Sequence, residues 1–274
     1  MKLHELIRQI YHEPSLITPG AHASIRQLLE SRFGLGFERF EAREPGTGSC
    51  GEKVEVDQME IRDGIAHIPV GGAIGKNLTP FDRGSGAVDV NDLSSELKES
   101  DENPKVRGII MHFDSPGGMV SGTPELAREI SRVKKPVYAF TDGLMASAAY
   151  WLASATDGIF ATETANVGSI GVYVPFYDLT KMAEMKGIKV ELIKTGKYKG
   201  MGYPGTALSD DQRAHLQERV NEIFSMFKTH VTSQRPKVKD DAMQGQTFMG
   251  AGAFKQGLVD AIVENAREVE ALIR

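Results

Sequence analysis

An α/β fold on a largely parallel sheet is predicted by three features of the chain. From about Val54 onward, short apolar runs alternate with amphipathic segments, the order that places crossover helices between parallel strands. Glycine-bearing turns close several of the apolar runs, as Ser115-Pro116-Gly117-Gly118 does after Met111-His112-Phe113. The 274 residues, 41% hydrophobic and 25% charged, are enough for a sizeable core and ordinary for a soluble globular protein.

The elements follow in order. Residues 1–42 read as a helical N-terminal arm: Leu3, Leu6, Ile7 and Ile10 share a face, Pro14 and Pro19-Gly20 interrupt it, and Ile25, Leu28 and Leu29 resume the period. Residues 43–53, rich in glycine and small polar residues, read as a linker, and 54–274 as the motif-bearing domain. Within it, 65–70 is a short strand, 88–100 a helix with Leu93 and Leu97 inward, 108–113 a buried strand and 123–133 a helix. A strand at 137–140, a helix at 147–155, strands near 159–161 and 168–174, a helix around 179–186 and a strand at 190–193 continue the alternation. Ser209 and Gln212 make a capping-box pattern at the start of a late amphipathic helix, striped by Leu216, Val220, Ile223, Phe224, Phe227 and Val231. That stripe suits either the chain's own core or a contact between subunits.

Composition removes several function classes. A net charge of −5 leaves no basic footprint for nucleic acid. No apolar run approaches the roughly 18 residues of a membrane span, and the first residues lack the apolar stretch of a signal peptide. A soluble, cytoplasmic protein is expected. The single Cys50 cannot form an intramolecular disulfide or a cysteine-based zinc site, and reads as an idle exposed thiol. No spacing suits a metal, and no cofactor is expected.

Three motifs carry the chemistry of acyl transfer. The stretch Gly143-Leu144-Met145-Ala146-Ser147-Ala148-Ala149-Tyr150-Trp151 sets a serine at the start of a small-residue helix, whose positive end favours a developing anion. Its spacing is not that of the Gly-x-Ser-x-Gly elbow, because Gly143 stands four residues before Ser147. Read alone, Ser147 is more readily a small residue that eases helix packing. The loop Thr195-Gly196-Lys197-Tyr198-Lys199 offers a base, with Lys194 and Lys197 as local competitors to Lys199. A lysine acts as a base only when desolvation brings its pKa from about 10.4 down to about 7–8. The turn at Gly117 and Gly118 offers backbone N–H donors for an oxyanion, with Ala148 beside the serine as the second donor. The rival base, His112, sits between Met111 and Phe113 and reads as a buried structural imidazole; His215 and His230 fall on the late helix.

Together these motifs resemble the family S49 serine peptidases, the signal-peptide-peptidase-A group, and within it the prophage capsid-assembly proteases. The resemblance runs from about Ile65 to Val263. It also takes in Val167-Gly168-Ser169-Ile170-Gly171-Val172, the segment from Phe248 to Asp260, and a head, Glu13-Pro14-Ser15-Leu16-Ile17, like that of the phage proteases. One departure is Ala148-Ala149 where the family has Gly-Gly, which adds two methyls near the pocket. The resemblance implies a Clp-protease/crotonase-like spiral of ββα units, with the N-terminal arm and late helix added. It implies Ser147 as nucleophile, Lys199 as base after the bulky Tyr198, Gly117, Gly118 and Ala148 as the oxyanion hole, and Ser169 hydrogen-bonded to the lysine amine. It also implies peptide or protein substrates, a homo-oligomeric ring, and processing of phage capsid or scaffold proteins or of membrane-leader peptides. Two alternatives stay open: an acyl-CoA hydratase or isomerase on the same superfold, and a catalytically idle capsid-associated structural protein.

Overall fold

The structure, a computed structural model, describes residues 14–33 and 59–273. The apolar face at Leu3, Leu6, Ile7 and Ile10, the linker with Cys50, and the boundaries drawn at 42 and 53 lie outside the described residues. The chain enters as β1 (Ser15–Ile17) and α1 (Pro19–Phe33). β2 (Glu60–Arg62) then leads into β3 (Ile65–Gly71), β4 (Ile74–Gly75), α2 (Pro80–Gly84), β5 (Val88–Asp89) and α3 (Val90–Glu102). A second unit is β6 (Gly108–Asp114), β7 (Gly117–Met119) and α4 (Thr123–Ile130). A third is β8 (Val137–Thr141), β9 (Leu144–Ala146) and α5 (Ala148–Ser154). β10 (Gly158–Ala161), β11 (Asn166–Gly168), α6 (Thr180–Met185) and α7 (Asp210–Gln234) follow. β12 (Thr247–Met249), α8 (Gly250–Lys255), β13 (Ala261–Ile262) and α9 (Ala266–Glu270) close the chain.

In each unit the long first strand joins a main sheet of order β13-β10-β8-β6-β3-β2, and the short second strand leaves it for a side sheet. The side sheets are β1-β7-β4-β5 and β12-β11-β9. β3, β6, β8 and β10 run parallel. This is the expected mixed α/β spiral of ββα units. β6 reads as a near-continuous apolar run because both of its faces are covered. Ile109, Met111 and Phe113 point into the larger core with α3, α4 and α5, whereas Ile110 points the other way, toward Phe140, Val269 and Ile273.

Asp89 caps α3 by accepting from Asn91 N–H, so the helix starts after a two-residue strand. α7 opens with both bonds of the capping box between Ser209 and Gln212. Its stripe is used unevenly. Phe227 and Val231 are buried, with Phe227 stacked on Trp151 of α5 at 4.5 Å and 4°, while Ile223 and Phe224 pack at the core's edge. Leu216 and Val220 remain half-buried.

Two expectations are corrected. Residues 15–17 form a strand and not part of a helical arm: Pro19 disfavours helical backbone at the residue before it, and β7 supplies a partner. Residues 190–193 form no strand, and 169–174 no continuous one. An apolar run makes a strand only beside a partner, and among the described residues none lies next to Ile193, which is 99% exposed.

On the sheet face opposite the larger core, His67 Nδ1 and His112 Nε2 share a hydrogen bond at 2.9 Å, and Glu270 of α9 lies 3.8 Å from His67 Nε2. Burial is the main cause that pushes His112 down to about 4, reinforced by His67 and Arg62 and opposed by Asp142. Burial also lowers His67, with Arg62 acting the same way and Glu270 and Glu60 against it. Between the unfolded value of 6.5 and the folded value of about 4, the unfolded chain binds more protons. Stability from His112 is therefore complete above pH 6.5 and lost as pH falls toward about 4. After discounting for partial exposure, about 2 kcal/mol is at stake. Urea midpoints measured across this window should fall with pH in the native chain and vary less in His112→Gln, which keeps a partner for His67 without titrating.

Candidate active site

The site is assembled where the turns after β6, β9 and β11 meet. Ser115, fully buried, is the hub. Its N–H donates to Leu144 O at 2.6 Å, its carbonyl accepts from Ala146 N–H at 3.1 Å, and its hydroxyl donates to Gly72 O at 2.5 Å. Gly143 allows the approach of β9, since a Cβ there would lie 2.7 Å from Asp114 Oδ1, the acceptor for Leu144 N–H.

Ser147 follows β9 at φ 56°, ψ −116°, so the helix begins one residue later than expected, at Ala148. Such a backbone costs a non-glycine residue about 1–3 kcal/mol and persists only where the surroundings hold it. Here Ser147 N–H donates to Gly168 O at 2.8 Å, and its carbonyl accepts from Trp151 N–H at 2.9 Å. The residue is 1% exposed, and its hydroxyl makes no hydrogen bond to a described residue. Ser169 stands beside it across the β9–β11 pair, where Ala146 is opposite Gly168, and it too has a positive φ, 55°. Gln246 O holds the Ser169 N–H at 2.7 Å.

Gly117 has φ 95°, and a Cβ there would lie 2.9 Å from the Ser147 Cβ. At Gly118 a Cβ would lie 1.9 Å from Ile74 O, so both positions require glycine. The Gly117 N–H, expected to face an oxyanion, donates instead to Ser115 Oγ at 3.2 Å. Ala148 is buried at the first position of α5, where an N–H has no intrahelical partner.

Ser147, Ser169, Gly117, Gly118 and Ala148 are thus brought together; Lys199 is not. It is exposed in the loop before α7, and no hydrogen bond joins it to Ser147 or Ser169. Its neighbours are occupied. Lys197 pairs with Asp211 at 3.0 Å, and that hydrogen bond, with a further contribution from Tyr198, raises its pKa. Lys194 Nζ donates to Lys197 O at 3.1 Å. His112 is committed to His67, His215 lies against Tyr198 with ring centroids 4.9 Å apart, and His230 lies against Trp151 at 6.2 Å. No histidine is hydrogen-bonded to Ser147 among the described residues. The role of Ser115 and the left-handed backbone at Ser147 and Ser169 were missed from sequence. A serine before Pro-Gly-Gly was a usable signal for the first; nothing local marks the second.

Residues 129–272 match the model of Peptidase family S49. Capsid assembly protease C of Escherichia phage lambda is 32% identical over 218 residues, covering 78% of this chain and 49% of that protein. The head-tail preconnector protein GP5 of Enterobacteria phage P21 is 26% identical over 287 residues, 98% of this chain and 57% of that protein. A putative signal peptide peptidase SppA of Enterococcus faecium is 30% identical over 174 residues, 61% of this chain and 51% of that protein. The chain spans about half the length of the curated relatives it matches.

Proposed function

The chain belongs to Peptidase family S49, and from that membership we propose that it hydrolyses peptide bonds through an acyl-enzyme, with Ser147 as nucleophile and Lys199 as general base. The observation that carries this reading is the strained Ser147 backbone, which holds beside a glycine turn a hydroxyl that bonds to no described residue. Gly118 and Ala148 N–H are the donors for the oxyanion, and Ser169 supports the lysine amine. Gly117 serves that hole through its shape, with its N–H bonded to Ser115.

As a base Lys199 must shed water, yet its side chain is exposed on one chain. Its segment is equally uncovered: no residue from 171 to 211 is buried, and Met185 and Ile193 are 87% and 99% exposed. Apolar side chains displayed in this number mark a contact surface. We propose a homo-oligomer in which this segment packs on a second copy and delivers Lys199 to a neighbouring Ser147. The name of the phage lambda relative favours capsid or scaffold proteins as substrates over membrane-leader peptides. An acyl-CoA hydratase-like reaction is less well served, because the acid nearest the turn, Asp114, accepts from Leu144 N–H.

The test is incubation with a random peptide library and mass spectrometry of the products. New termini formed by the native chain and absent with Ser147→Ala are expected; the same termini from both proteins would overturn the assignment.

A further inference from the structure

The head of the chain lies where an extended peptide would meet Ser147. β1 runs antiparallel along β7, with Leu16 opposite Gly118 and Ile17 opposite Gly117. Its other edge is bonded as well. Ser15 N–H donates to Tyr173 O at 2.8 Å, and Tyr173 N–H to Ser15 O at 3.4 Å. Beyond the strand, Thr18 N–H donates to Pro116 O at 2.9 Å. Three residues paired with β7 along one edge, the first of them bonded to Tyr173 on the other, are seated in a slot, the geometry by which a sheet takes up a peptide: main-chain bonds supply affinity and side-chain pockets supply choice.

The slot opens on the nucleophile. A Cβ at Gly117 would lie 2.2 Å from the Leu16 carbonyl oxygen and 2.9 Å from the Ser147 Cβ, so only glycine lets that peptide carbonyl and the serine share one neighbour. The segment runs from the Met119 end of β7 toward Gly117, that is, toward Ser147. Leu16 and Ile17 are both buried. α1 then fastens the exit to the far wall: His22 Nδ1 and Tyr173 Oη are 2.8 Å apart, and the Arg26 guanidinium sits 5.0 Å from the centre of the Tyr177 ring.

We propose that residues 14–18 are a built-in pseudosubstrate, seated between β7 and Tyr173, and that an outside peptide reaches Ser147 only when this segment leaves. The proposal rests on the reading of Ser147 as nucleophile. It also names the substrate class: extended peptides with aliphatic side chains where Leu16 and Ile17 now sit.

Two variants of the full chain test it. Leu16→Asp puts a charge where Leu16 is buried. Ser15→Pro, a milder change should the first fail to fold, removes the N–H that donates to Tyr173. Two quantities are read: binding of a fluorescein-labelled peptide with the sequence of residues 13–19, and the rate at which a fluorophosphonate labels Ser147. The peptide should bind the folded variants about tenfold more tightly than the native chain. Labelling should rise about tenfold in the variants, as for a slot closed about nine-tenths of the time, and fall again when unlabelled peptide is added. Binding to the variants no stronger than to the native chain overturns the proposal. So does measurable but equal labelling of native chain and variants in the absence of added peptide. If the peptide binds the variants but Ser147 is labelled in none, the slot and its occupant stand and the nucleophile assignment falls.

Discussion

Lys199→Arg is expected to lower peptide turnover about a thousandfold or more, the scale of a lost general base, while the fold and Ser147 are kept. Arginine retains the charge and much of the length, so a lysine that served only as a surface cation would tolerate the change. Its guanidinium stays protonated in proteins and cannot take the Ser147 proton. Lys197→Arg is the control within the same loop. Lys197 is an exposed ammonium paired with Asp211 at 3.0 Å, and arginine can keep that pair, so turnover should stay within about twofold. Co-expression then locates the dyad. Ser147→Ala and Lys199→Arg, each inactive alone, should recover part of the turnover in mixed assemblies, because each copy brings the residue its neighbour lacks. Absence of recovery in verified mixed assemblies would place both residues in one chain, and near-native turnover by Lys199→Arg alone would remove lysine from the chemistry.

What could be read from the residues is what local pattern controls. The apolar runs at 108–113 and 137–140 are strands because they are covered on both faces, and Ser209 with Gln212 caps α7 because the cap is made by residues three apart. The serine and the glycine turn were legible for the same reason. What escaped depends on distant partners. Ser15–Ile17 is a strand because β7, about a hundred residues later, receives it. Residues 190–193 carry the composition of a strand and stay exposed because none is beside them. Ser115 shows four bonds in the fold and only a turn in the sequence. The backbone of Ser147 is imposed by Gly168 O and the start of α5, which its neighbours in sequence do not reveal.

That backbone gives the second large effect. At an ordinary helix or strand position, glycine is less stable than alanine by about 0.5–1 kcal/mol, because it loses more freedom on folding. At Ser147, φ 56° and ψ −116° suit glycine and strain any side chain. The order should therefore reverse, with Ser147→Gly more stable than Ser147→Ala by about 1 kcal/mol. Both lack the hydroxyl and should lose peptide turnover by about four orders of magnitude or more, the cost of removing a nucleophile. A serine that merely eased packing would show the stability order, which the backbone imposes, without the loss of turnover. The decisive measurement is the turnover of a library-derived peptide by the native chain, Ser147→Gly and Ser147→Ala, with urea midpoints taken on the same preparations. Two inactive variants with glycine the more stable are expected; turnover within tenfold of native by either variant would remove Ser147 from the chemistry.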